Sequence, residues 1–221
     1  MKIKNTLSYS IFILVLVCLL SCKKEKLSPL QSDSAEIPPK ELKASACDLM
    51  PIAPGNWWIY INPDKTLTRL EISDSTDEFN GTLWLKAKTQ QAQNFYSCNR
   101  SFVYHWREDG NNGAAQPNTA DAITLIKENP KVGDQWHSGV ENQFMVDMVI
   151  YTVKDILEEV KMRGFTFKNV VVVEEKRYFD TIHTQPVISS SQSWYAPGIG
   201  LIRYNIKEDG SASELLQYKI Q

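Results

Sequence analysis

The chain has few residues suited to catalysis or metal binding, and they follow no catalytic motif. Its 221 residues include only three histidines (His105, His137 and His183), which lie far apart in the sequence. There is no Gly-x-Ser-x-Gly, no His-Glu-x-x-His, and no glycine-rich loop of the kind that cradles a phosphate ahead of a helix. We therefore predict no catalytic residues, no metal site and no cofactor, and a protein that is not an enzyme.

An excess of basic charge is also lacking. The chain has 24 Lys and Arg against 26 Asp and Glu, which gives a formal net charge of −2. Nucleic-acid binding depends on Lys and Arg side chains that neutralise phosphates, so no nucleic-acid partner is expected. Beyond residue 21 there is no apolar run of the ~18 residues that a spanning helix needs.

The longest apolar run lies at the N-terminus. Lys2 and Lys4 precede an apolar stretch at residues 11–20. Ten helical residues cover ~15 Å, about half of a ~30 Å hydrocarbon core, so this stretch is too short to span a bilayer. A positive start followed by a short apolar run is typical of a signal peptide, which we place at residues 1–21.

The end of this run, Leu19-Leu20-Ser21-Cys22, resembles the lipobox of bacterial lipoproteins. The resemblance implies that the signal peptide is cut after Ser21 and that Cys22 carries fatty acyl chains, which make the lipid bilayer a partner of the protein. Two or three chains hold a protein on a membrane far more firmly than one. The alternative is an ordinary secretory signal in which Cys22 has no role.

Residues 22–46 are polar and are interrupted by Pro29, Pro38 and Pro39, which predicts a flexible, lipidated tether. The globular domain is predicted at residues 47–221. Its two cysteines, Cys47 and Cys98, either form a disulfide or remain as separate buried thiols. We favour the disulfide, because a pair of cysteines in an oxidising compartment is usually bridged.

Alternating apolar and polar residues predict strands through most of the domain. Residues 82–89 place Leu83, Leu85 and Ala87 on one face and Trp84, Lys86 and Lys88 on the other. Residues 95–107, taken as one strand interrupted by Arg100, direct five side chains to the core: Tyr96, Cys98, Phe102, Tyr104 and Trp106. Residues 143–159 are predicted as strand, although residues 154–161 have a spacing that also suits a short helix. The predicted fold is all-β: an antiparallel β-barrel, half-barrel or sandwich of about ten strands.

One motif occurs twice. Gly55-Asn56-Trp57-Trp58 and Gly133-Asp134-Gln135-Trp136 both read Gly-(Asn/Asp)-x-Trp, a turn followed by a strand that begins with tryptophan. Either the domain consists of two related halves of about 80 residues, or the repetition is chance.

Two further segments, together with the Gly-Asn-Trp-Trp start, resemble uncharacterised Bacteroidetes-type envelope lipoproteins. The first is Met-Arg-Gly-Phe-Thr-Phe-Lys-Asn-Val at residues 162–170, and the second is Trp-Tyr-Ala-Pro-Gly-Ile-Gly-Leu-Ile-Arg at residues 194–203. The resemblance implies a β fold and a cell-envelope location, with the outer membrane favoured, on its periplasmic or surface side. It implies no activity. Pro197, Gly198 and Gly200 also suit a sharp structural turn, an interpretation that we prefer to a ligand contact.

The six tryptophans are the remaining candidates for ligand contacts. Trp84 shares its strand face with lysines, so we predict an exposed ring that is either a sugar-stacking platform or a rim residue. Trp194 and Tyr195, in the closing motif, are the other possible ligand-binding residues. Each of these rings is also an ordinary core residue by type.

Three functions remain open after these observations. The first is a non-enzymatic module that binds a hydrophobic or glycan ligand or an envelope partner, which predicts an apolar or aromatic-lined cleft. The second is a structural or assembly component of the envelope, which predicts a flat apolar patch. The third, a hydrolase of envelope or imported polymers, predicts converging titratable groups with shifted pKa values. We rank them in that order.

Overall fold

A computed structural model describes residues 40–89, 93–107, 122–141, 146–178, 187, 189–206 and 210–221. Over these residues the chain forms one short helix and twelve strands: α1 (Ala46–Leu49), β1 (Trp57–Ile61), β2 (Leu67–Phe79), β3 (Thr82–Lys88), β4 (Gln93–Cys98), β5 (Phe102–Arg107), β6 (Ile123–Lys127), β7 (Gln135–Glu141), β8 (Val146–Met162), β9 (Phe165–Tyr178), β10 (Ser189–Ala196), β11 (Gly200–Ile206) and β12 (Ala212–Lys219). Cys22 and His183 lie outside the described residues, as does the predicted tether up to residue 39.

All twelve strands belong to one antiparallel sheet in the order β6-β5-β4-β3-β2-β1-β12-β11-β10-β9-β8-β7. The sheet curls until its two edge strands, β6 and β7, lie side by side, so the domain is a nearly closed barrel. The all-β antiparallel prediction is therefore confirmed, with twelve strands instead of about ten. Residues 154–161 lie within β8, so the strand prediction there is correct and the helical alternative is wrong.

The chain enters the barrel through an ordered N-terminal segment. Lys40 and Leu42 form main-chain hydrogen bonds with the β6–β7 connection, so the domain already includes residues that the sequence analysis placed in the tether. A capping box between Ser45 and Asp48 starts α1. Among the described residues, no helix combines the length and the apolar character that crossing a membrane requires.

Two of the singled-out motifs meet at this N-terminal end. Trp58 is fully buried and its indole Nε1–H donates to the carbonyl oxygen of Ile199 at 2.6 Å. The Gly198 N–H donates to the carbonyl of Asp48, at 2.7 Å. Gly200 has φ +105° and packs against Met50 and Trp58. The Pro-Gly-Ile-Gly turn thus connects β10 to β11 and closes the barrel over α1, as the structural interpretation of this motif predicts.

The first copy of the Gly-Asx-x-Trp motif forms a defined turn. Gly55, at φ +81°, donates its N–H to the carbonyl of Ile72, and Ile72 donates its own N–H to the carbonyl of Asn56; both distances are 2.9 Å. These two bonds fix the start of β1 against β2. The β2–β3 ladder shifts register directly after Ile72.

The second copy repeats this pattern. Gly133, at φ +94°, donates to the carbonyl of Val153, and Val153 donates to the carbonyl of Asp134, again at 2.9 Å in both bonds. The β8–β9 ladder shifts register directly after Val153. The two motifs therefore start equivalent hairpins, β1–β2 and β7–β8. The barrel consists of two six-stranded meanders, β1–β6 and β7–β12, which join through the β1–β12 ladder.

Residues 95–107 depart from the single strand that alternation predicts. Asn99 turns the chain: its side-chain Oδ1 accepts the backbone N–H groups of Ser101 and Phe102, at 3.0 and 2.8 Å. The segment is therefore a hairpin of β4 and β5, and Arg100 lies exposed in its turn.

Because of this turn, the side chains of β5 lie on the opposite faces of the sheet from those predicted for one continuous strand. Tyr96 on β4 is buried in the barrel, but on β5 the buried core residue is Val103. The predicted core positions on β5 belong instead to the outer face of the sheet, where the side chains are half-buried: Phe102, Tyr104 and Trp106. The core assignment of these three residues is wrong, because alternation was carried through a turn.

A candidate ligand groove at the junction of β6 and β7

The two meanders meet at two junctions, and of these the β1–β12 junction is a hydrogen-bonded ladder. At the first, β1 and β12 pair over five register positions. At the second, β6 and β7 form the two edges of the sheet, and side chains replace the ladder. The Thr124 N–H donates to Ser138 Oγ at 2.8 Å, and the Trp136 Nε1–H donates to the Thr124 carbonyl at 2.9 Å. We call this second junction the seam.

These side chains hold β6 and β7 together at the seam. Ser138 is buried, and the Trp136 ring stacks on Tyr151 with centroids 5.4 Å apart and an interplanar angle of 10°. One residue of β7 therefore links the neighbouring strand β8 to the edge strand β6. The N–H and the C=O of Thr124 therefore both have hydrogen-bond partners on β7, although β6 and β7 form no ladder.

A concave groove with a volume of about 300 Å³ lies along the seam. Its lining residues come from β5, β6 and β7, and three are aromatic and three polar: Phe102, Trp136, Tyr104, Thr124, Gln135 and His137. We call it the seam groove. Small-molecule sites typically combine apolar walls with a few placed polar groups in cavities of ~300–1,000 Å³, and the seam groove lies at the small end of that range.

The aromatic walls have defined relative positions. The rings of Phe102 and Tyr104 have centroids 6.0 Å apart and a tilt of 46°, so they form a bent surface on the outside of β5. The β5–β6 ladder shifts register between Val103 and Tyr104, opposite Thr124. Such irregularities re-aim side chains and are common beside binding sites.

A second groove lies where β2 leaves the ladder between Ile72 and Thr76. It measures about 740 Å³ and has a polar lining: Ser73, Asp74, Ser75, Lys86, Ala87, Lys88, Thr89 and Gln93. Its lysines and its carboxylate have opposite charges, and Lys86 already contacts Asp77 at 2.8 Å. Without aromatic walls or a convergent set of like groups, it points to no ligand class.

Trp84, the first of the sequence-predicted contacts, is fully buried. It belongs to a small cluster on the outer face of the sheet with Phe95 and Ala122, against which Phe79, Tyr104 and Trp106 pack. The predicted exposure of its ring is therefore wrong. Its role as a ligand contact stays a prediction, although Nε1 has no hydrogen-bond partner among the described residues.

Trp194 and Tyr195 lie away from the seam groove. Trp194 is half-buried beneath the guanidinium of Arg203, which lies 5.1 Å from the centroid of the ring. Tyr195 is buried in the main core. Neither residue lines a described groove, and their proposed ligand contacts also stay predictions.

The barrel interior contains a group of tyrosines. Tyr60, Tyr96, Tyr151 and Tyr195 are all buried, and the Tyr60 hydroxyl donates to the carbonyl of Leu201 at 3.0 Å. Burial raises the pKa of all four phenols. They are therefore neutral at ordinary pH and act as core residues.

Glu175 adjoins these tyrosines on the same face of β9 as the core residue Val173. In the ladders it lies opposite Tyr151 on β8 and Ser191 on β10. Burial raises the pKa of its carboxyl, while Arg177 at 3.7 Å and a hydrogen bond from Ser191 oppose that rise.

No three His, Cys, Asp or Glu side chains converge on a possible metal position within the described part of the chain. His105 stacks on Tyr96 and contacts Asn94 at 2.8 Å. His137 is exposed and lines the seam groove. The Cys47–Cys98 disulfide is present, with the Cα atoms 5.8 Å apart.

Sequence reasoning missed the seam groove because it assigned Phe102 and Tyr104 to the core. The Asn99-Arg100-Ser101 turn was visible as a polar interruption in an aromatic strand, and using it would have moved both rings to the outer face. In the sequence, Gln135 and Trp136 stand out only as part of the repeated Gly-(Asn/Asp)-x-Trp motif. Their proximity to β5 follows from closure of the barrel, which strand alternation does not predict.

No family model matches the chain, and no curated protein matches it. Among solved structures, it is similar to a provisionally assigned lipoprotein from Parabacteroides distasonis, with a TM-score of 0.43 and 10% identity over 80% of this chain and 100% of that one. It is also similar to a provisionally assigned exported protein with a YmcC-like fold from Bacteroides fragilis, with a TM-score of 0.39 and 13% identity over 77% of this chain and 98% of that one. Similarities of this size carry no argument about the function of this chain.

Proposed function

We propose that the protein is a lipid-anchored cell-envelope protein whose barrel binds a small ligand in the seam groove without chemical change. The lipobox resemblance at Cys22 supports the anchor. The groove supports binding, because it is the aromatic-lined cleft that the binding hypothesis predicts. In the part of the chain that the structure describes, no carboxylate lines the groove, which favours binding over hydrolysis.

The filled barrel interior supports a binding site on the outside of the barrel. Many β-barrels hold a hydrophobic ligand inside, but side chains fill the interior of this one. Trp58, Phe167 and Ile202 are among the fully buried residues of its continuous core. The seam groove, on the outside, is accessible without displacing that core.

The anchor is tested by the intact mass of the protein from its own host. We expect a chain that begins at Cys22 and carries the mass of added acyl chains, and a Cys22→Ser variant that leaves the membrane fraction. A chain that begins elsewhere, or that has no acyl increment, contradicts the lipoprotein assignment.

Binding is tested by native mass spectrometry of protein purified from host membranes. We expect a ligand adduct on the wild type that is lost in Tyr104→Ala. The matched control is Trp57→Ala, which removes a half-buried ring from β1 of the same meander, outside the seam groove. Equal loss of the adduct in both variants contradicts binding at the seam groove.

A further inference from the structure

We propose that the ligand of the seam groove is an uncharged carbohydrate of one or two sugar rings. A sugar face lies against Phe102 and Tyr104, and its hydroxyls bond to Thr124, Gln135 and His137. This inference rests on the proposed function and specifies the ligand class for the same site.

The charge of the lining favours a neutral ligand. Among the described residues, no Asp, Glu, Lys or Arg lines the seam groove. The adjacent charges, Lys127 and Asp134, pair with each other at 3.0 Å. A charged ligand would lose water in the groove without gaining an opposite charge, which is unfavourable. An uncharged ligand avoids that cost.

The polar groups separate a sugar from a purely hydrophobic ligand. Gln135 and His137 are exposed, and Gln135 is oriented by a hydrogen bond from its Nε2 to Thr152 Oγ1 at 3.2 Å. An acyl chain would cover these donors and acceptors without replacing the hydrogen bonds that they make to water. Sugar hydroxyls replace those bonds, while the C–H face of the ring packs on the electron-rich aromatic faces.

The main chain of the seam disfavours an extended peptide. Peptides that add to a sheet edge bind through the free N–H and C=O groups of the edge strand. Near the start of β6, the N–H and C=O of Thr124 already bond to Ser138 and Trp136. A strand entering the seam would have to break both bonds, whereas a sugar on the outer surface would leave them intact.

The volume sets the size of the ligand. A groove of about 300 Å³ holds one or two rings, so a longer glycan would contact the protein only through its end or through a short internal segment. Trp136 is among the lining residues and its indole bonds to the Thr124 carbonyl at the seam, so its fluorescence serves as the signal for binding.

The experiment uses the full lipidated protein in a detergent without a sugar headgroup, because glycosidic detergents would compete for the groove. Tryptophan fluorescence and calorimetry follow titration with neutral mono-, di- and trisaccharides. Matched uronic acids, sulfated sugars, a fatty acid and an extended peptide are titrated in parallel. We expect saturable binding of at least one neutral sugar and weaker binding of its charged counterpart.

Variants assign the contacts. Tyr104→Ala lowers the affinity for the sugar by about tenfold or more, whereas Tyr104→Phe keeps most of it because the ring remains. Gln135→Ala lowers the affinity for the sugar but not for an apolar probe. Trp57→Ala, outside the groove, serves as the folding control and changes nothing.

The possible outcomes distinguish a failure of the carbohydrate assignment from a failure of the proposed binding function. Preferred binding of the fatty acid, the charged sugars or the peptide, lost in Tyr104→Ala, overturns the carbohydrate assignment and leaves the groove as a binding site. Sugar binding that is equally strong in Tyr104→Ala overturns both the assignment and the site. Absence of binding by every ligand class, together with no adduct on the protein from its host, overturns the proposed function itself.

Discussion

Gly200 is one of the few residues whose identity the backbone dictates. Its φ of +105° is unfavourable for residues with a Cβ, and an added Cβ would lie 3.1 Å from Met50 Sδ and 3.3 Å from Trp58 Nε1. Since Trp58 donates to the neighbouring Ile199 carbonyl, crowding here disturbs the bond that connects the turn to the barrel core.

We expect Gly200→Ala to lower the free energy of unfolding by about 2–3 kcal/mol, since backbone strain and the close contacts add. Gly198→Ala is the matched control: φ is +72° there, but open space surrounds the added Cβ. It should lose only about 1–2 kcal/mol, the cost of the left-handed backbone alone. Urea unfolding measures both, and a loss in Gly198→Ala that equals the loss in Gly200→Ala would show that the close contacts contribute nothing.

The raised pKa of the Glu175 carboxyl predicts that the stability of the fold depends on pH. Burial raises the pKa of its carboxyl above the ordinary value of 4.5, so between these two pKa values the native state holds a proton that the unfolded chain has lost. Stability therefore falls as pH rises through this window and is highest on its acidic side. Groups that face Glu175 are Arg177 on its own strand, Tyr151 on β8 and Ser191 on β10.

The Glu175→Gln variant should show a weaker fall in urea midpoint over this window, because the amide does not titrate. The control is Glu158→Gln, at an exposed position on β8. It should keep the wild-type slope. A Glu175→Gln slope that matches the wild type would assign the pH dependence to other groups.

At the scale of strands and turns, the alternation of apolar and polar residues predicts individual strands, because it depends only on residues close in the sequence. It identifies β3, predicted at residues 82–89, and most of β8, predicted at residues 143–159. It fails at β4 and β5, where Asn99 accepts two backbone N–H groups and reverses the chain within three residues. The seam depends on the meeting of β6 and β7 after the whole sheet has closed. A sequence pattern holds no information about that meeting.

The seam itself is tested by Ser138→Ala. Ser138 Oγ is the acceptor for the Thr124 N–H, and in the variant this partly buried N–H loses its partner. We expect a loss of about 1–3 kcal/mol in unfolding free energy, together with faster hydrogen exchange at the Thr124 amide.

Ser73→Ala is the control for this experiment, since it removes a hydroxyl that donates to the Lys86 carbonyl within the β2–β3 region. It should leave exchange at Thr124 unchanged. Unaltered exchange at Thr124 in Ser138→Ala would mean that another group supports the seam.

At the scale of the whole molecule, the two meanders explain why one junction differs from the other. Equivalent hydrogen bonds start β1 and β7, yet β1 pairs with β12 through a ladder, whereas β7 contacts β6 through side chains. Repetition therefore supplies two similar halves and two junctions. The intact junction holds the barrel together, and the other is free to form a groove without loss of the fold.

The Cys47–Cys98 disulfide connects α1, which follows the predicted tether, to β4 of the first meander. It closes a loop of about 50 residues, since its cysteines are 51 positions apart. Loop-closure entropy assigns such a bridge a stabilisation of about 4 kcal/mol. The buried residues Leu49 and Met50 close that end of the core, so loss of the bridge should loosen α1 before the strands separate.

We expect Cys47→Ser/Cys98→Ser to lower the free energy of unfolding by about 2–4 kcal/mol and to increase hydrogen exchange at residues 46–50 above that of β8 and β9. The control is wild-type protein measured after reduction, starting at Lys23 so that Cys47 and Cys98 are its only cysteines. Reduction should reproduce the double variant. If exchange instead rises equally across the barrel, the N-terminal segment does not open on its own, and its contacts with the Pro-Gly-Ile-Gly turn suffice to hold it.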